Sequence, residues 1–266
     1  MSFVSELVRS ICPDAAVGHP PEGSTAPRCG AYQLRLASSE QDRTAIFRLR
    51  FEVFNLELRE GLEGAYINGQ DCDEFDLVCD HLLVEHWPTG AVVGTYRLQT
   101  GAMAAPNLGY YSAREFDFSP YEPLRSDMIE LGRACIRRDH RSFDVLNLLW
   151  KGVAQYSISH GGRYLIGCSS LTSQDIDFGS AMYFHLSSFL TPTYLRTAPV
   201  GSFAFELTPK TNQKVKPPKL LRAYLSIGAQ ICGPPAIDRE FKTIDFLTLL
   251  DLQSLNPTVR ARFLGA

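Results

Sequence analysis

The order of elements along the chain predicts an α/β, or α+β layered, domain: a central mixed sheet with helices on both faces. Three observations carry that expectation. Short runs rich in β-branched and aromatic residues alternate with segments of helical periodicity. One helical segment, Phe143 to Ser159, holds almost no charge and so must be buried on most sides. Two neighbouring apolar runs are joined by Trp87-Pro88-Thr89-Gly90, a good hairpin turn.

Taken in order, residues 1–30 hold one short amphipathic segment cut by Pro13, then Gly18, Pro20, Pro21, Gly23 and Pro27, and read as a flexible N-terminal arm. Residues 31–266 read as a single folded domain. Its first strand is Tyr32 to Leu36. Ser38 or Ser39 caps a helix in which Ile46, Phe47, Leu49, Arg50, Val53 and Phe54 recur at helical spacing. The hairpin strands are His81 to His86 and Ala91 to Gln99, and residues 101–126 are irregular. A strand over Asp127 to Ile136 precedes the uncharged helix, and Tyr164 to Cys168 is a short buried strand. Helical segments follow over 173–190 and 218–229, and a long final strand is expected within 236–252.

With 266 residues, 45% of them hydrophobic, the chain can bury a full core. A net charge of -3 excludes a dedicated nucleic-acid binder of the usual basic kind. The seven cysteines lack the close spacing of a zinc site, so reduced thiols and no metal are expected. No secretory leader and no membrane-length apolar run is visible, which places the protein in the cytoplasm, at most touching a membrane surface.

Charge inside apolar stretches points to a site. Asp73-Glu74-Phe75-Asp76 and Glu130-Leu131-Gly132-Arg133 both abut apolar runs, and Arg97 lies in a strand between them. Buried ions of this kind cost several kcal/mol each unless paired or used. Glu130 is placed to act as a general base on an amine, or else as a partner of Arg133 or Arg97. Arg137, Arg138, His140 and Arg141 crowd the turn before the Phe143 helix, where free backbone N–H groups and the helix dipole favour an anion such as phosphate.

The series Arg50-x-x-x-Phe54, Asp73-Glu-Phe-Asp76, Arg97 and Glu130-x-x-Arg133 resembles the acyl-homoserine-lactone autoinducer synthases of the GNAT-like superfamily, over about residues 45–140. From Tyr32 onward the chain is more similar to the ornithine-acyl-carrier-protein N-acyltransferases, some of which carry the label hemolysin-like. The match rests on Cys79 to Val84, Val93 to Leu98, Glu130 to Arg133, Leu148 to Gly152, Arg163 to Cys168 and Gly233 to Phe241. That resemblance implies a GNAT-like fold whose middle strands splay to admit a phosphopantetheine arm, with a family-specific C-terminal extension. It implies transfer of a 3-hydroxy fatty acyl group from acyl carrier protein, or coenzyme A, to the α-amine of an amino acid, ornithine by the family reading. No cofactor would be bound permanently. Catalytic roles fall on Glu130, Asp73 and Asp76, and substrate binding on Arg50, Phe54, Arg97 and Arg133. Arg137, Arg138, Arg141 and Phe143 would hold the donor's phosphopantetheine. Another amine acceptor, an autoinducer-type synthase, and a non-enzymatic membrane-active protein are the alternatives. Tyr183 is offered as the acid for the leaving thiol.

Overall fold

The computed structural model describes residues 27–209 and 214–264. The arm expected over residues 1–30 lies outside the described residues up to residue 26, while Arg28 and Cys29 already form a short strand (β1). Strands β2 (Tyr32–Leu36), β3 (Asp80–His86), β4 (Ala91–Thr100), β5 (Met128–Ile136), β6 (Tyr164–Leu171), β7 (Gln230–Ile231), β8 (Ala236–Asp238) and β9 (Thr243–Asp251) complete a nine-stranded sheet. Its order is β1-β2-β3-β4-β5-β6-β9-β7, with β8 also on β9. Every pairing is antiparallel except β5 with β6.

That parallel pair forks the sheet. It is held only at Met128↔Tyr164, Ile129↔Leu165 and Glu130↔Ile166, after which both strands run on without each other. Gly167 stands at the fork, where an added Cβ would lie 2.1 Å from the Leu131 carbonyl oxygen, so no larger residue fits there. On the other side of β5, the β4 ladder breaks between Thr95 and Arg97. Two residues of β5, Arg133 and Ala134, oppose Tyr96 alone, which is a β-bulge. Arg133 takes the left-handed conformation there (φ 50°), uncommon for a side-chain-bearing residue, and the bulge re-aims its guanidinium.

Helix α1 (Glu40–Arg50) starts on Ser39, whose hydroxyl accepts from Asp42 N–H, and runs into a wider π-type turn over Phe51–Glu57. Its Leu49, together with Val53 of the turn, packs on Cys135, covering one face of the sheet. Helix α2 is the single turn Gly101–Ala104. The uncharged helix α3 occupies Phe143–Ser159 and covers the other face, with Val145, Leu148 and Leu149 against Leu34, Leu82 and Val84. Gly152 lets it approach closely, since a Cβ there would sit 2.7 Å from Leu34. Helices α4 (Ile176–His185), α5 (Lys219–Ser226) and α6 (Pro257–Leu264) follow.

Three expectations are corrected in extent. The helix expected over 173–190 stops at His185 and gives way to a short 3-10 turn. The strand expected to end at Cys168 reaches Leu171. The long final strand is two strands, β8 and β9, separated by a turn in which Lys242 has φ 60°. No helix among the described residues is long and apolar enough to cross a membrane.

Candidate active site

A cavity of about 340 Å³ opens at the fork. Part of its wall, the apolar lobe, is Trp150, Val153, Leu220, Tyr224, Val259 and Phe263 from α3, α5 and α6. Another part, the polar lobe, holds Arg97, Tyr111, Glu130, Arg133, Asp238 and Asp245. Glu130 is the last residue of β5 paired with β6.

Beside the fork the chain builds an alternating ion-pair network. Arg50 Nη1 donates to Asp76 Oδ1 at 2.8 Å, and Arg97 Nη1 reaches the same oxygen at 3.2 Å and Asp73 Oδ1 at 2.6 Å. Arg133 Nη2 donates to Asp73 Oδ2 at 2.6 Å, with Asp71 a further 3.9 Å contact. Asp73 and Asp76 also cap a 3-10 turn over Glu74–Leu77, each accepting a backbone N–H. Burial opposes ionisation of Asp76, but the Arg50 and Arg97 guanidiniums outweigh it and hold the carboxyl below its ordinary range. Burial likewise opposes Asp73, and Arg97 with Arg133 overrides it in the same direction. Burial pushes His81 down to about 4, so it is neutral at pH 7 beside Arg50 Nη2 (3.0 Å). The rings of Phe241 (3.9 Å) and Tyr111 (5.4 Å) flank the Arg133 guanidinium, whose Nε is buried without a partner.

Glu130 is 5% exposed and accepts the backbone N–H groups of Tyr111 and Ser112, both at 2.7 Å. Burial raises its carboxyl above the ordinary range, and the Ser112 and Tyr111 hydrogen bonds offset only part of that. A buried carboxylate poised upward suits proton abstraction better than one locked in ion pairs. The same two bonds also anchor the 111–112 loop over the cavity.

A second acidic group lies deeper in the polar lobe. Glu115, Asp238 and Asp245 are 1%, 4% and 4% exposed. Burial, reinforced by the other carboxylates, lifts Glu115 well above its ordinary range and pushes Asp245 up to about 6. Burial also drives the Cys168 thiol well up beside them.

Residues 49–151 match the family model described as Acetyltransferase (GNAT) domain. The L-ornithine N(alpha)-acyltransferase of Brucella abortus is 33% identical over 251 residues, which cover 86% of this chain and 87% of that protein. The chain belongs to the L-ornithine N(alpha)-acyltransferase family. The Rhodobacter capsulatus member is 30% identical, covering 85% of this chain and 92% of its own. The crystal structure of the AHL synthase LasI superposes with a TM-score of 0.52 at 14% identity, covering 88% of this chain and 95% of that one. That likeness shows a shared fold. As in the GNAT superfamily at large, the protein is an acyltransferase with a mixed sheet flanked by helices.

Within this acyltransferase the structure gathers Arg50, Asp73, Asp76, Arg97 and Arg133 into one network, with Glu130 next to it at the fork. Phe54, on the π-type turn, lines the cavity. Asp73 and Asp76, expected with Glu130 to be catalytic, are each committed to two arginines and a backbone N–H, and a depressed pKa makes a weak base. Their geometry is that of positioning residues. Arg137, Arg138, Arg141 and Phe143 do cluster at the start of α3, but none lines the cavity. Arg141 is held by Glu57 (2.6 and 2.7 Å) and Arg137 by Asp139 (3.1 Å), while Arg138 is exposed. Tyr183, expected as the acid for the leaving thiol, packs in the hydrophobic cluster of α4 and does not line the cavity. Sequence reasoning missed the second acidic group. Its signal was present in Ile244-Asp245-Phe246, a lone carboxylate in an apolar strand.

The two kinds of carboxylate set opposite limits on stability. Groups held low, such as Asp73 and Asp76, contribute stability that is present above the unfolded carboxyl pKa near 4 and lost as pH falls below it. Groups pushed up, such as Asp245, bind protons that the unfolded chain has already released, so stability falls as pH rises from about 4 through about 6. Urea midpoints are therefore expected to peak near pH ~5, and Asp245→Asn to raise the midpoint at pH ~8. A wild-type midpoint still climbing between those two values would contradict this.

Proposed function

We propose that the protein transfers a 3-hydroxy fatty acyl group from the phosphopantetheine arm of acyl carrier protein to the α-amine of ornithine, giving a lyso-ornithine lipid. The observation that carries this reading is the two-lobed cavity at the fork. An apolar lobe for an acyl chain and a polar lobe for an amino acid meet where β5 and β6 part. The relatives' name supports the acceptor and the site of acylation.

An amino acid's amine arrives protonated at neutral pH, because its pKa is near or above ~8. Glu130, directly or through a water, takes that proton. The free amine adds to the thioester carbonyl, and a C–N bond forms as the C–S bond breaks. The new amide nitrogen sheds its extra proton, and the leaving thiolate takes it up. Beyond Glu130 and Ile166 the facing edges of β5 and β6 have no strand opposite, which leaves backbone N–H groups for the oxyanion. Donors of this type contribute about 3–4 kcal/mol. Arg133, with its unpartnered Nε and its place in the cavity wall, suits the amino acid's carboxylate.

The donor's phosphate falls to the N-terminus of α3, where Ser142 caps the helix and Arg138 is exposed. Acyl carrier protein is acidic, and Arg137, Arg138 and Arg141 give it a complementary surface that speeds encounter. The same reading puts the protein in the cytoplasm with peripheral contact at the inner membrane. Ile67 and Leu77, 91% and 87% exposed, are apolar side chains available for that contact.

Mass spectrometry after incubation with acyl-carrier protein or acyl-coenzyme A, and single amino acids in turn, tests the proposal. The expected product is the α-N-acyl derivative of ornithine, formed faster from the carrier protein. Absence of any N-acyl product would end the reading, and equal rates with coenzyme A would remove the carrier protein from it.

A further inference from the structure

The polar lobe holds carboxylates that the protein itself leaves without counter-ions. Asp71, Asp73 and Asp76 each face an arginine. Glu60, Glu115, Asp238 and Asp245 have none within ion-pair distance among the described residues. Glu60 Oε1, Glu115 Oε1 and Asp245 Oδ1 are buried with no hydrogen-bond partner. Glu60, Asp238 and Asp245 line the cavity, and donor atoms of Glu115, Cys168 and Asp245 lie within 4.8 Å of one another. Burial pushes Glu115 and Asp245 toward their neutral forms, and a cation brought in by a ligand is the natural complement of the ionised pair.

Two cations deserve comparison. A divalent metal would have to drive the proton off Cys168, whose thiol burial and the adjacent acidic groups push well up. A primary ammonium needs only acceptors, can donate three hydrogen bonds, and matches free carboxylate oxygens. The lobe also has a suitable geometry for a bifunctional ligand. Arg97 and Arg133 lie over the Tyr111 ring (5.1 and 5.4 Å), and Tyr111 shares the cavity wall with Glu60, Asp238 and Asp245, so one small molecule in the cavity can meet both guanidinium and carboxylate.

We infer that Asp245 and Glu115, with Asp238 and Glu60 around them, form the specificity pocket for the side-chain ammonium of the amino acid acceptor. The inference rests on the acyl-transfer reading above and names the part of the site that selects a diamino acid. It also accounts for regiochemistry. An amine held among carboxylates stays protonated and has no lone pair to attack with, so the α-amine is the nucleophile.

Norvaline, which keeps the carbon chain of ornithine and lacks the side-chain nitrogen, is the probe. Wild-type kcat/KM for ornithine is expected to exceed that for norvaline by at least about a hundredfold. In Asp245→Asn that ratio is expected to fall at least about tenfold, and Glu115→Gln to lower it in the same direction. Thermal unfolding of both variants confirms that they fold. An unchanged ratio, with both substrates losing rate equally, would overturn the pocket. Calorimetric titration with ornithine and norvaline in the absence of donor separates the two claims. Ornithine-selective binding that Asp245→Asn abolishes, without any acylation, would keep the pocket and reject the acyl-transfer reading. Acylation without selectivity, or equal binding of the two amino acids, would reject the pocket. Stabilisation by Mg²⁺ or Zn²⁺ alone, lost in Asp245→Asn, with no ornithine preference, would replace it by a metal site.

Discussion

Asp76→Ala is expected to lower the free energy of unfolding by about 3–5 kcal/mol, because it strands buried cations. Arg50 is fully buried and Arg97 is 4% exposed, and both use Asp76 Oδ1. Removing that carboxylate leaves Arg50 with the neutral His81 ring and the face of Phe47 and no counter-ion at that end, and leaves Arg97 to share Asp73 with Arg133. It also removes the acceptor for Asp73 N–H in the 3-10 capping turn. Urea unfolding reads the loss. Glu57→Gln, which breaks the exposed pair with Arg141, is expected to change stability by less than about 1 kcal/mol. Equal, small effects at the two sites would mean that the buried network does not hold the fork. Because Arg97 and Arg133 both line the cavity, acyl transfer in Asp76→Ala should fall along with stability.

Glu130→Gln is expected to lower kcat at least about tenfold, since a positioned general base contributes roughly a hundredfold or more. The amide keeps one oxygen for the backbone N–H of Tyr111 or Ser112 but turns its NH₂ toward the other donor. Some loss of stability is therefore expected too, and rate alone does not separate a base from a loop anchor. The pH profile does. A base with a carboxyl raised by burial gives kcat an acidic limb above the ordinary glutamate range, and Glu130→Gln should erase that limb. A variant that loses stability yet keeps the limb would assign the proton to another group and leave Glu130 as the anchor of the 111–112 loop.

The sheet and its helices were legible because their signals are local. Phe143–Ser159 has nearly no charged side chain and a good cap at Ser142, and the structure gives the helix those bounds. The hairpin followed from the Pro88-Thr89-Gly90 turn, and Ser39 was among the two caps offered for α1. Strands β1 and β7, two residues each, carry no periodicity and depend wholly on their neighbours. The turn that splits the last strand depends on Lys242 adopting a positive φ, which no residue type announces.

The site was half legible for a related reason. Charges within apolar runs located Asp73, Asp76, Arg97, Glu130 and Arg133, because burying them needs a reason wherever they point. Which carboxylate is paired and which is free depends on contacts between segments far apart in sequence, such as Asp73 with Arg133 and Glu130 with Ser112. Glu115 lay in an irregular stretch where acidic residues are ordinary, and only the fold brings it to Asp245 and Cys168.

On the proposed function, the fork seats the acyl chain on one side and the amine on the other. An acyl carrier protein loaded with a fatty chain ending in a photoreactive diazirine probes that arrangement. Irradiation followed by peptide mapping is expected to mark Trp150, Val153, Leu220 or Phe263, the walls of the apolar lobe. Labelling confined to the exposed side chains of Ile67 and Leu77, with the lobe untouched, would contradict it.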